Sequence, residues 1–288
     1  KSMRPVKRVV ILGGGFISSR VENIFIKTKT NYLRLNSKKL DLANPESIPI
    51  LKSLIKKNDH IFLVASKAPV KTFDMIIYNL KILHSVCLGI NSDFISKITY
   101  LSSDAVYSDT KFKITENSKV NPESLHGYMH LLRENYLKKI FKKKLCIARA
   151  TLVYGHTDPH NGYGPNKFVR QLKKNNIISL FGKGEEKRDH IYVDDLAEML
   201  SKLVFNNFFG TINLATGNVL SFHDIAKTIL SLTKENSQKL VFLKRTAPMP
   251  HNGYRAFDIS LLKKLFKSKI IESFKKNIKK EFPLYKTL

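Results

Sequence analysis

The feature that most constrains the fold of this chain is a regular alternation of short apolar runs and helical patterns through its first half. Runs such as 7–12 and 60–65 each contain at least four consecutive apolar residues, unlike the alternating pattern of half-exposed strands. Strands of this kind are buried on both faces, which happens in parallel sheets covered by helices. The pattern therefore predicts an α/β fold with a doubly wound parallel sheet.

Local signals locate the predicted strands and divide the chain. Strands are predicted at 7–12, 31–36, 60–65, 97–103 and 144–155, with helices between them. After Gly155 the chain becomes rich in Gly, Pro, Asn and His, which is typical of a loop. Farther on, Asp195 and Glu198 have the spacing of a capping box, with Asp195 as the predicted helix cap. The second half is therefore predicted to be a smaller part interleaved with the sheet.

Composition limits the classes of partner. The formal net charge is +27, but the basic residues are scattered and form no basic–aromatic module, so we predict a solvated basic surface and no nucleic-acid partner. No apolar run reaches the roughly 18–20 residues that span a bilayer. Glycines interrupt the apolar start, which favours a strand and turn over a signal peptide. Cys87 and Cys146 lie in apolar runs, which suggests a reducing compartment, and we expect a cytoplasmic protein.

A glycine-rich turn follows the first predicted strand. Gly13-x-Gly15-x-x-Ser18 matches a dinucleotide-binding pattern, with serine in the third glycine position. Glycine permits the tight turn, and the missing side chains let a pyrophosphate approach the helix N-terminus. The turn predicts a nicotinamide dinucleotide, either NAD or NADP.

The end of the second strand bears on which dinucleotide binds. NAD sites usually have Asp or Glu here, which accepts a hydrogen bond from the ribose 2′-hydroxyl. This chain has the neutral Asn36 and Ser37, followed by Lys38 and Lys39, whose charges could receive a 2′-phosphate. The comparison tilts the prediction toward NADP.

Several motifs in order resemble the extended short-chain dehydrogenase/reductases, the NAD-dependent epimerase/dehydratases that act on nucleotide sugars. They are "GGGFISS" (13–19), "LSSDAVYSD" (101–109), "RATLVYG" (149–155) and "LFGKGEEKRDHIYVDDLAEML" (180–200), within a resemblance that runs from about 6 to 259. The resemblance implies a Rossmann-type domain at 1–155, to which 187–215 returns. It also implies a smaller C-terminal substrate-binding lobe at 156–186 and 216–288.

The resemblance also implies a set of binding residues. The implied cofactor-binding residues are Gly13, Gly15, Phe16, Ile17, Ser37, Lys38, Ala65 and Lys67. The implied substrate-binding residues are Asn166, Lys167, Arg188 and Arg255. The two arginines are expected to bind the diphosphate of a nucleotide sugar, because guanidinium groups match phosphate oxygens. No metal site is predicted, and a homodimer is a further expectation.

The catalytic motif implied by the resemblance, Ser/Thr with Tyr-x-x-x-Lys, is altered in this chain. Ser103 occupies the Ser/Thr position, whereas His126 and His130 occupy the tyrosine and lysine positions. Gly127 and Glu134 match the residues that accompany the motif. Tyr128 cannot replace the tyrosine, because a residue two positions on faces another side of the helix.

Histidine can perform the proton transfer by itself, because its ordinary pKa of about 6.5 suits general acid–base catalysis without a neighbouring cation. We therefore predict that His126 exchanges a proton with a sugar hydroxyl, that Ser103 bonds the same oxygen, and that His130 orients the ribose or relays protons. The implied reaction is epimerisation, reduction or dehydration of a nucleotide sugar.

Three alternatives to this prediction stay open. The histidines could be part of a zinc site completed from the loop with His156, Asp158 and His160. They could instead shape the pocket while Tyr107 or Lys67 handles the proton. The protein could also be a cofactor-bound sensor or structural protein that performs no chemistry.

Overall fold

The computed structural model describes residues 8–233, 239–267 and 271–286. Within them, strands and helices alternate through the first 150 residues as predicted. The strands are β1 (Val9–Leu12), β2 (Tyr32–Leu35), β3 (His60–Leu63), β4 (Lys97–Ser103), β5 (Leu145–Ala150), β6 (Leu152–Tyr154), β7 (Ile177–Phe181), β8 (Lys187–Tyr192), β9 (Gly210–Leu214), β10 (Val219–Ser221), β11 (Lys239–Leu243) and β12 (Tyr254–Arg255).

Helices lie between the strands of the first half, as predicted, and further helices follow in the second half. They are α1 (Phe16–Lys27), α2 (Ser47–Leu54), α3 (Phe73–Gly89), α4 (Leu125–Phe141), α5 (Pro165–Asn175), α6 (Val193–Phe205), α7 (Phe222–Leu230), α8 (Ser260–Leu265) and α9 (Phe274–Glu281). Short 3₁₀ turns join some of them, and the one at Asp104–Val106 directly follows β4. No helix of the described residues is long and apolar enough to cross a bilayer.

The chain divides into two compact units. The larger contains the residues up to Ser108, Ser118–Ala150 and Leu196–Leu214. Its sheet has the order β2-β1-β3-β4-β5-β9, with every neighbouring pair parallel. The order reverses between β1 and β3, and ligands of such sheets bind at the carboxyl ends of the strands beside the reversal. The predicted α/β Rossmann-type fold is confirmed.

Continuous apolar strands form the core of this sheet. All four residues of β1 are fully buried, and Ile61, Phe62 and Leu63 of β3 are buried as completely. Helices therefore cover both faces, and the polar chemistry of the larger unit is left to the strand ends and the loops that follow them.

The smaller unit consists of Asp109–Asn117, Thr151–Asp195 and the residues from Ala215 onward. In it β8 pairs with β6, β10 and β12, and β7 pairs with β11. The domain prediction assigned 187–215 to the sheet domain, whereas here β8 belongs to the smaller unit and the return begins at Leu196. Residues 109–117 also belong to the smaller unit.

Two local predictions were wrong. The single strand predicted at 144–155 is divided at Thr151, whose hydroxyl donates to the Asp189 carbonyl oxygen at 3.1 Å, so β6 pairs with β8. Asp195 is not a helix cap, because α6 already begins at Val193. Its Oδ2 instead accepts a hydrogen bond from Asn277 Nδ2 at 3.0 Å. In both cases a partner distant in sequence determines the local structure.

Candidate functional site

The glycine turn lies between β1 and α1 and leaves room at the helix N-terminus. Gly13 has φ +136°, and a Cβ there would lie 2.8 Å from the Ala65 nitrogen. A Cβ on Gly15 would meet no atom within 4 Å, and α1 has no side-chain hydrogen bond at this cap. The turn is therefore closed on the side of the sheet and open over the helix N-terminus. Phe16 and Ile17 form the first turn of α1.

Ser18, which replaces the third glycine, is fully buried and donates to the Gly15 carbonyl oxygen at 2.9 Å. It also accepts a hydrogen bond from Arg34 of β2 at 3.1 Å. Arg34 reaches Ser19 as well and forms an ion pair with Glu22. The sequence prediction missed this arginine, although a charged residue inside an otherwise apolar strand could have drawn attention to it.

The residues after β2 lie on the surface beside the glycine turn. Asn36 packs under Gly14, where a Cβ would lie 2.5 Å from Asn36 Cβ. Ser37, Lys38 and Lys39 are exposed. The four residues directly after β2, 36–39, include no acidic side chain, in agreement with the sequence, and both lysines extend into solvent.

The loop after β3 is held by two buried side chains. Asn79 of α3 bonds both the amide and the carbonyl oxygen of Lys67, at 2.9 and 3.0 Å. Arg133 of α4 donates to the Ala65 carbonyl oxygen at 2.9 Å. Lys67 itself is exposed, with Nζ 5.4 Å from the centroid of the Tyr78 ring. Ala65 and Lys67 thus lie on a fixed backbone at the same sheet edge as Gly13.

The first turn of α4 packs directly against the turn that follows β4. A Cβ on Gly127 would lie 2.1 Å from the Ala105 carbonyl oxygen, a distance that no side chain can occupy. Ser124 caps α4 by accepting a hydrogen bond from the Gly127 amide at 3.1 Å. This close approach brings His126 toward the end of β4, where Ser103 lies.

Ser103 is the last residue of β4 and is partly exposed. Its Oγ accepts a hydrogen bond from the Ala105 amide at 3.2 Å and lies 3.5 Å from Asp104 Oδ1. Asp104 is buried. The hydroxyl hydrogen of Ser103 is therefore shared only weakly with the carboxylate and can reorient toward a ligand.

His126 is half-buried on the first turn of α4. The Val70 amide donates to its Nδ1 at 3.4 Å, so Nδ1 is the unprotonated nitrogen of the neutral ring. The His126 ring meets that of His130 edge to face, with centroids 4.6 Å apart. A second proton on His126 would have to enter at Nδ1, against the Val70 amide.

His130 is buried, and its Nδ1 lies 2.6 Å from the Tyr100 hydroxyl. Burial lowers the pKa of His130 well below its usual 6.5, and the nearby His126 and Arg133 add to this. At neutral pH His130 is therefore an uncharged ring. The predicted lysine position thus contains no cation.

Neighbouring charged residues of the larger unit are structural. Arg149 forms a two-pronged ion pair with the fully buried Glu134, at 2.9 and 2.5 Å, and Ser102 donates to the same carboxylate. Tyr107 is buried and its hydroxyl donates to Asn213 at 2.7 Å. The guanidinium of Arg149 also lies 4.7 Å from the centroid of the Tyr107 ring. This environment makes Tyr107 a poor alternative for proton transfer.

The predicted arginines of the smaller unit are both buried and both bonded. Arg188 of β8 is paired with Glu186 at 3.1 Å. Arg255 of β12 contacts Asp109 Oδ1 at 3.2 Å and His251 Nδ1 at 3.1 Å. A phosphate would have to compete with these carboxylates for the guanidinium groups.

The other predicted residues of this unit lie on α5. The Asn166 side chain binds the Gly155 amide, Asp158 and the Tyr285 hydroxyl, so it fastens the loop that precedes the helix. Lys167, the next residue, is partly exposed.

The loop histidines have other partners. His156 Nδ1 lies 2.6 Å from Glu281 of α9. Asp158 accepts hydrogen bonds from the His160 amide and from Asn166. Among the residues that the structure describes, no group of three or more His, Cys, Asp or Glu side chains is arranged to hold a metal ion.

With this geometry established, known proteins provide an independent comparison. The model of the NAD dependent epimerase/dehydratase family matches residues 9–215. The chain belongs to this family. The match covers the glycine turn, Ser103, the two histidines and β8, and the predicted family is confirmed.

Individual members of the epimerase/dehydratase family agree with this assignment. Human dTDP-D-glucose 4,6-dehydratase is 24% identical over 267 residues, which cover 81% of this chain and 76% of the human protein. A GDP-L-fucose synthetase from Naegleria fowleri bound to NADP has a TM-score of 0.83 at 17% identity, over 98% of this chain and 95% of that one. A Thermus thermophilus UDP-glucose 4-epimerase in complex with NAD has a TM-score of 0.77 at 18% identity, over 96% of this chain and 98% of that one. These structures share the fold.

The glycine turn fits the dinucleotide after which the epimerase/dehydratase family is named. The space above Gly15 is open, and the first amides of α1 have no capping side chain. Amides at a helix N-terminus bind phosphate, and a bound pyrophosphate would satisfy them. Gly13, Gly15, Phe16 and Ile17 are the residues that would hold it.

Proposed function

We propose that this protein is an NAD(P)-dependent epimerase or keto-reductase that acts on a nucleotide-activated sugar by hydride transfer. The observation that carries the proposal is the open helix N-terminus at Gly15, at the same sheet edge as Ser103. Family membership and relatives named for nucleotide sugars support the substrate class.

The residues that would hold the cofactor lie along one sheet edge, from the glycine turn to the loop after β3. Gly13, Gly15 and the first turn of α1 would hold its pyrophosphate, and Ala65 and Lys67 would bind it farther along the same sheet edge. When bound, the cofactor would supply hydride-transfer chemistry. Ser37 and Lys38 would contact the adenine ribose, and the exposed lysine charge supports a preference for NADP over NAD.

The chain's own groups manage the proton. Ser103 hydrogen-bonds the reacting sugar oxygen, and His126 exchanges a proton with it, in place of the tyrosine that the family motif implies. The Val70 contact with Nδ1 must open during this exchange, and at 3.4 Å it is long enough to do so at low cost. His130 hydrogen-bonds the ribose.

The substrate groups belong to the smaller unit. Arg188 and Arg255 bind the diphosphate when it replaces Glu186 and Asp109 as their partners. Lys167 adds charge at the start of α5, whereas Asn166 fixes the loop before that helix.

A cofactor-bound sensor or structural protein without turnover is the second candidate. The observation that favours it is that both histidines are arranged as neutral rings, His126 through Val70 and His130 through burial. Neither arrangement is that of a residue already prepared to take up a proton.

The pH dependence of turnover in wild type and His126→Ala separates the two candidates. Reduced-nicotinamide absorbance is followed while nucleotide sugars are added to the cofactor-loaded protein. We expect His126→Ala to lower turnover by about 10²–10⁴-fold while cofactor binding is retained. Undiminished turnover in the variant would remove His126 from the mechanism. If wild type turns over none of the tested sugars, the result would favour the sensor. A chelator should have no effect unless zinc takes part.

A homodimer through α4 is a further proposal. Four large side chains at helical spacing make one apolar face of this helix, and each is at least 40% exposed: Leu125, Tyr128, Leu132 and Tyr136. Light scattering should show a dimer for wild type and a monomer for Tyr128→Lys. Equal masses of the two proteins would contradict this interface. A cytoplasmic location also stays a prediction, based on the two free thiols.

A further inference from the structure

The hydrogen bond between Tyr100 and His130 determines what His130 can offer a ligand. Tyr100 is 1% exposed and His130 is 5% exposed, and the hydroxyl lies 2.6 Å from Nδ1. A phenol has one hydrogen and so has a neutral imidazole, so the bond could run in either direction. Its direction decides which nitrogen of His130 carries the hydrogen.

Hydrogen-bond satisfaction favours Tyr100 as the donor. Within the described residues, His130 Nδ1 is the partner of the Tyr100 hydroxyl. If the phenol oxygen accepted, its own hydrogen would be buried without an acceptor, which costs about 1–3 kcal/mol. Burial also raises the pKa of the Tyr100 hydroxyl, so it keeps its proton. The ring of His130 then carries its hydrogen on Nε2.

We propose that Tyr100 is a positioning residue that donates to His130 Nδ1 and thereby fixes His130 as a neutral Nε2–H donor. The use of this donor rests on the proposed function. At the position where the family motif implies an ammonium group, the dinucleotide meets an uncharged donor for a ribose hydroxyl oxygen. The site then adds no positive charge beside an oxidised nicotinamide.

Tyr100, His126 and Arg133 are the titratable or charged groups that act on His130. The elements packed against α4 carry further such groups, which are Cys87 of α3, Arg149 of β5 and Asp104 of the 3₁₀ turn, and α4 itself carries Glu134. Glu134 is neutralised by Arg149. The guanidinium of Arg133 lies 5.0 Å from the centroid of the Tyr100 ring, and this cation opposes a second proton on His130.

Nitrogen NMR of ¹⁵N-histidine-labelled protein without ligand at pH 7 tests the tautomer directly. His130→Gln identifies the resonances. We expect an unprotonated Nδ1 and a protonated Nε2 in wild type, and a mixture of tautomers in Tyr100→Phe. A charged His130, hydrogen on Nδ1 in wild type, or an unchanged spectrum in Tyr100→Phe would overturn the proposal. The wild-type spectrum decides the matter if the variant does not fold.

Tyr192→Phe is the matched control, because it removes another buried tyrosine hydroxyl with a 2.6 Å hydrogen bond, in the smaller unit. Its His130 spectrum should equal that of wild type. Dinucleotide affinity then tests the role: we expect Tyr100→Phe to bind about twofold more weakly, because only part of its His130 population carries the hydrogen on Nε2. Unchanged affinity would overturn the ribose role. If wild type shows the expected tautomer but binds no dinucleotide, the proposed function would be refuted. The tautomer assignment would remain intact.

Discussion

The two units treat their predicted functional residues differently. In the larger unit, the glycine turn, the loop after β3, Ser103 and the first turn of α4 meet at one sheet edge, held largely by backbone approach. In the smaller unit, Arg188, Arg255 and Asn166 are buried and bonded to neighbouring side chains. A site formed by backbone groups can therefore bind a ligand without breaking an existing contact. A site formed by ion pairs must first break those pairs before its arginines can bind a phosphate.

Gly127→Ala should have the largest effect, on the stability of the fold. It tests whether backbone contact holds the elements of the larger unit together. Its Cβ would lie 2.1 Å from the Ala105 carbonyl oxygen, so α4 must move away from the turn after β4. We expect a loss of about 3 kcal/mol in the free energy of unfolding, measured by urea denaturation.

Gly162→Ala is the matched control for this substitution, because a Cβ there meets nothing within 4 Å. It should change stability by less than about 0.5 kcal/mol. Equal stabilities of the two variants would mean that α4 does not depend on contact with the Ala105 carbonyl.

His190→Phe should have the next largest effect, on the pH dependence of stability. It tests whether a buried histidine of the smaller unit is neutral. Burial, then Arg188, lowers the pKa of His190 to about 3, and neither ring nitrogen has a hydrogen-bond partner in the described residues. Because the unfolded state binds a proton below about pH 6.5 and the folded state does not, stability is lost as pH falls from about 6.5 toward 3.

Phenylalanine at this position cannot titrate, and the site already borders the Phe222 ring, with centroids 5.6 Å apart. We therefore expect His190→Phe to exceed wild type in unfolding free energy by about 2 kcal/mol more at pH 5 than at pH 7. The exposed His84→Gln controls for the loss of an imidazole. Parallel pH curves for wild type and His190→Phe would contradict a neutral buried His190.

Arg188→Gln should have the smallest effect, on the affinity for a nucleoside diphosphate. It tests whether Arg188 releases Glu186 to bind a phosphate. If the diphosphate replaces Glu186, loss of the guanidinium should weaken binding of a nucleoside diphosphate about tenfold, as measured by calorimetry. The exposed Lys187→Gln removes a charge from the same strand as a control. Equal affinities of both variants would mean that Arg188 serves only its ion pair.

The fold was predictable because its signals are local. Continuous apolar runs identified β1 and β3, and the glycine turn identified the start of α1. The residues that were missed or misread depend on distant partners. Thr151 divides a predicted strand by bonding the Asp189 carbonyl, and Asp195 binds Asn277 instead of capping α6.

The candidate site shows the same limit. The positions of Ser103, His126 and His130 follow from motif spacing, and the structure brings their elements together. Their protonation does not follow from spacing, because it depends on Tyr100 and on the Val70 amide, which lie on other elements. Arg34 and Arg133 were missed for the same reason: they act across strands and helices.

The central claim is that a nicotinamide dinucleotide binds over the open face of Gly15, and calorimetric titration of NAD and NADP tests it most directly. We predict that wild type binds one of them with a dissociation constant below about 1 mM. Gly15→Ala should keep its melting temperature and bind at least about tenfold more weakly, because its Cβ would occupy the empty space. No binding to wild type at millimolar concentration, or equal binding by both proteins, would contradict the account.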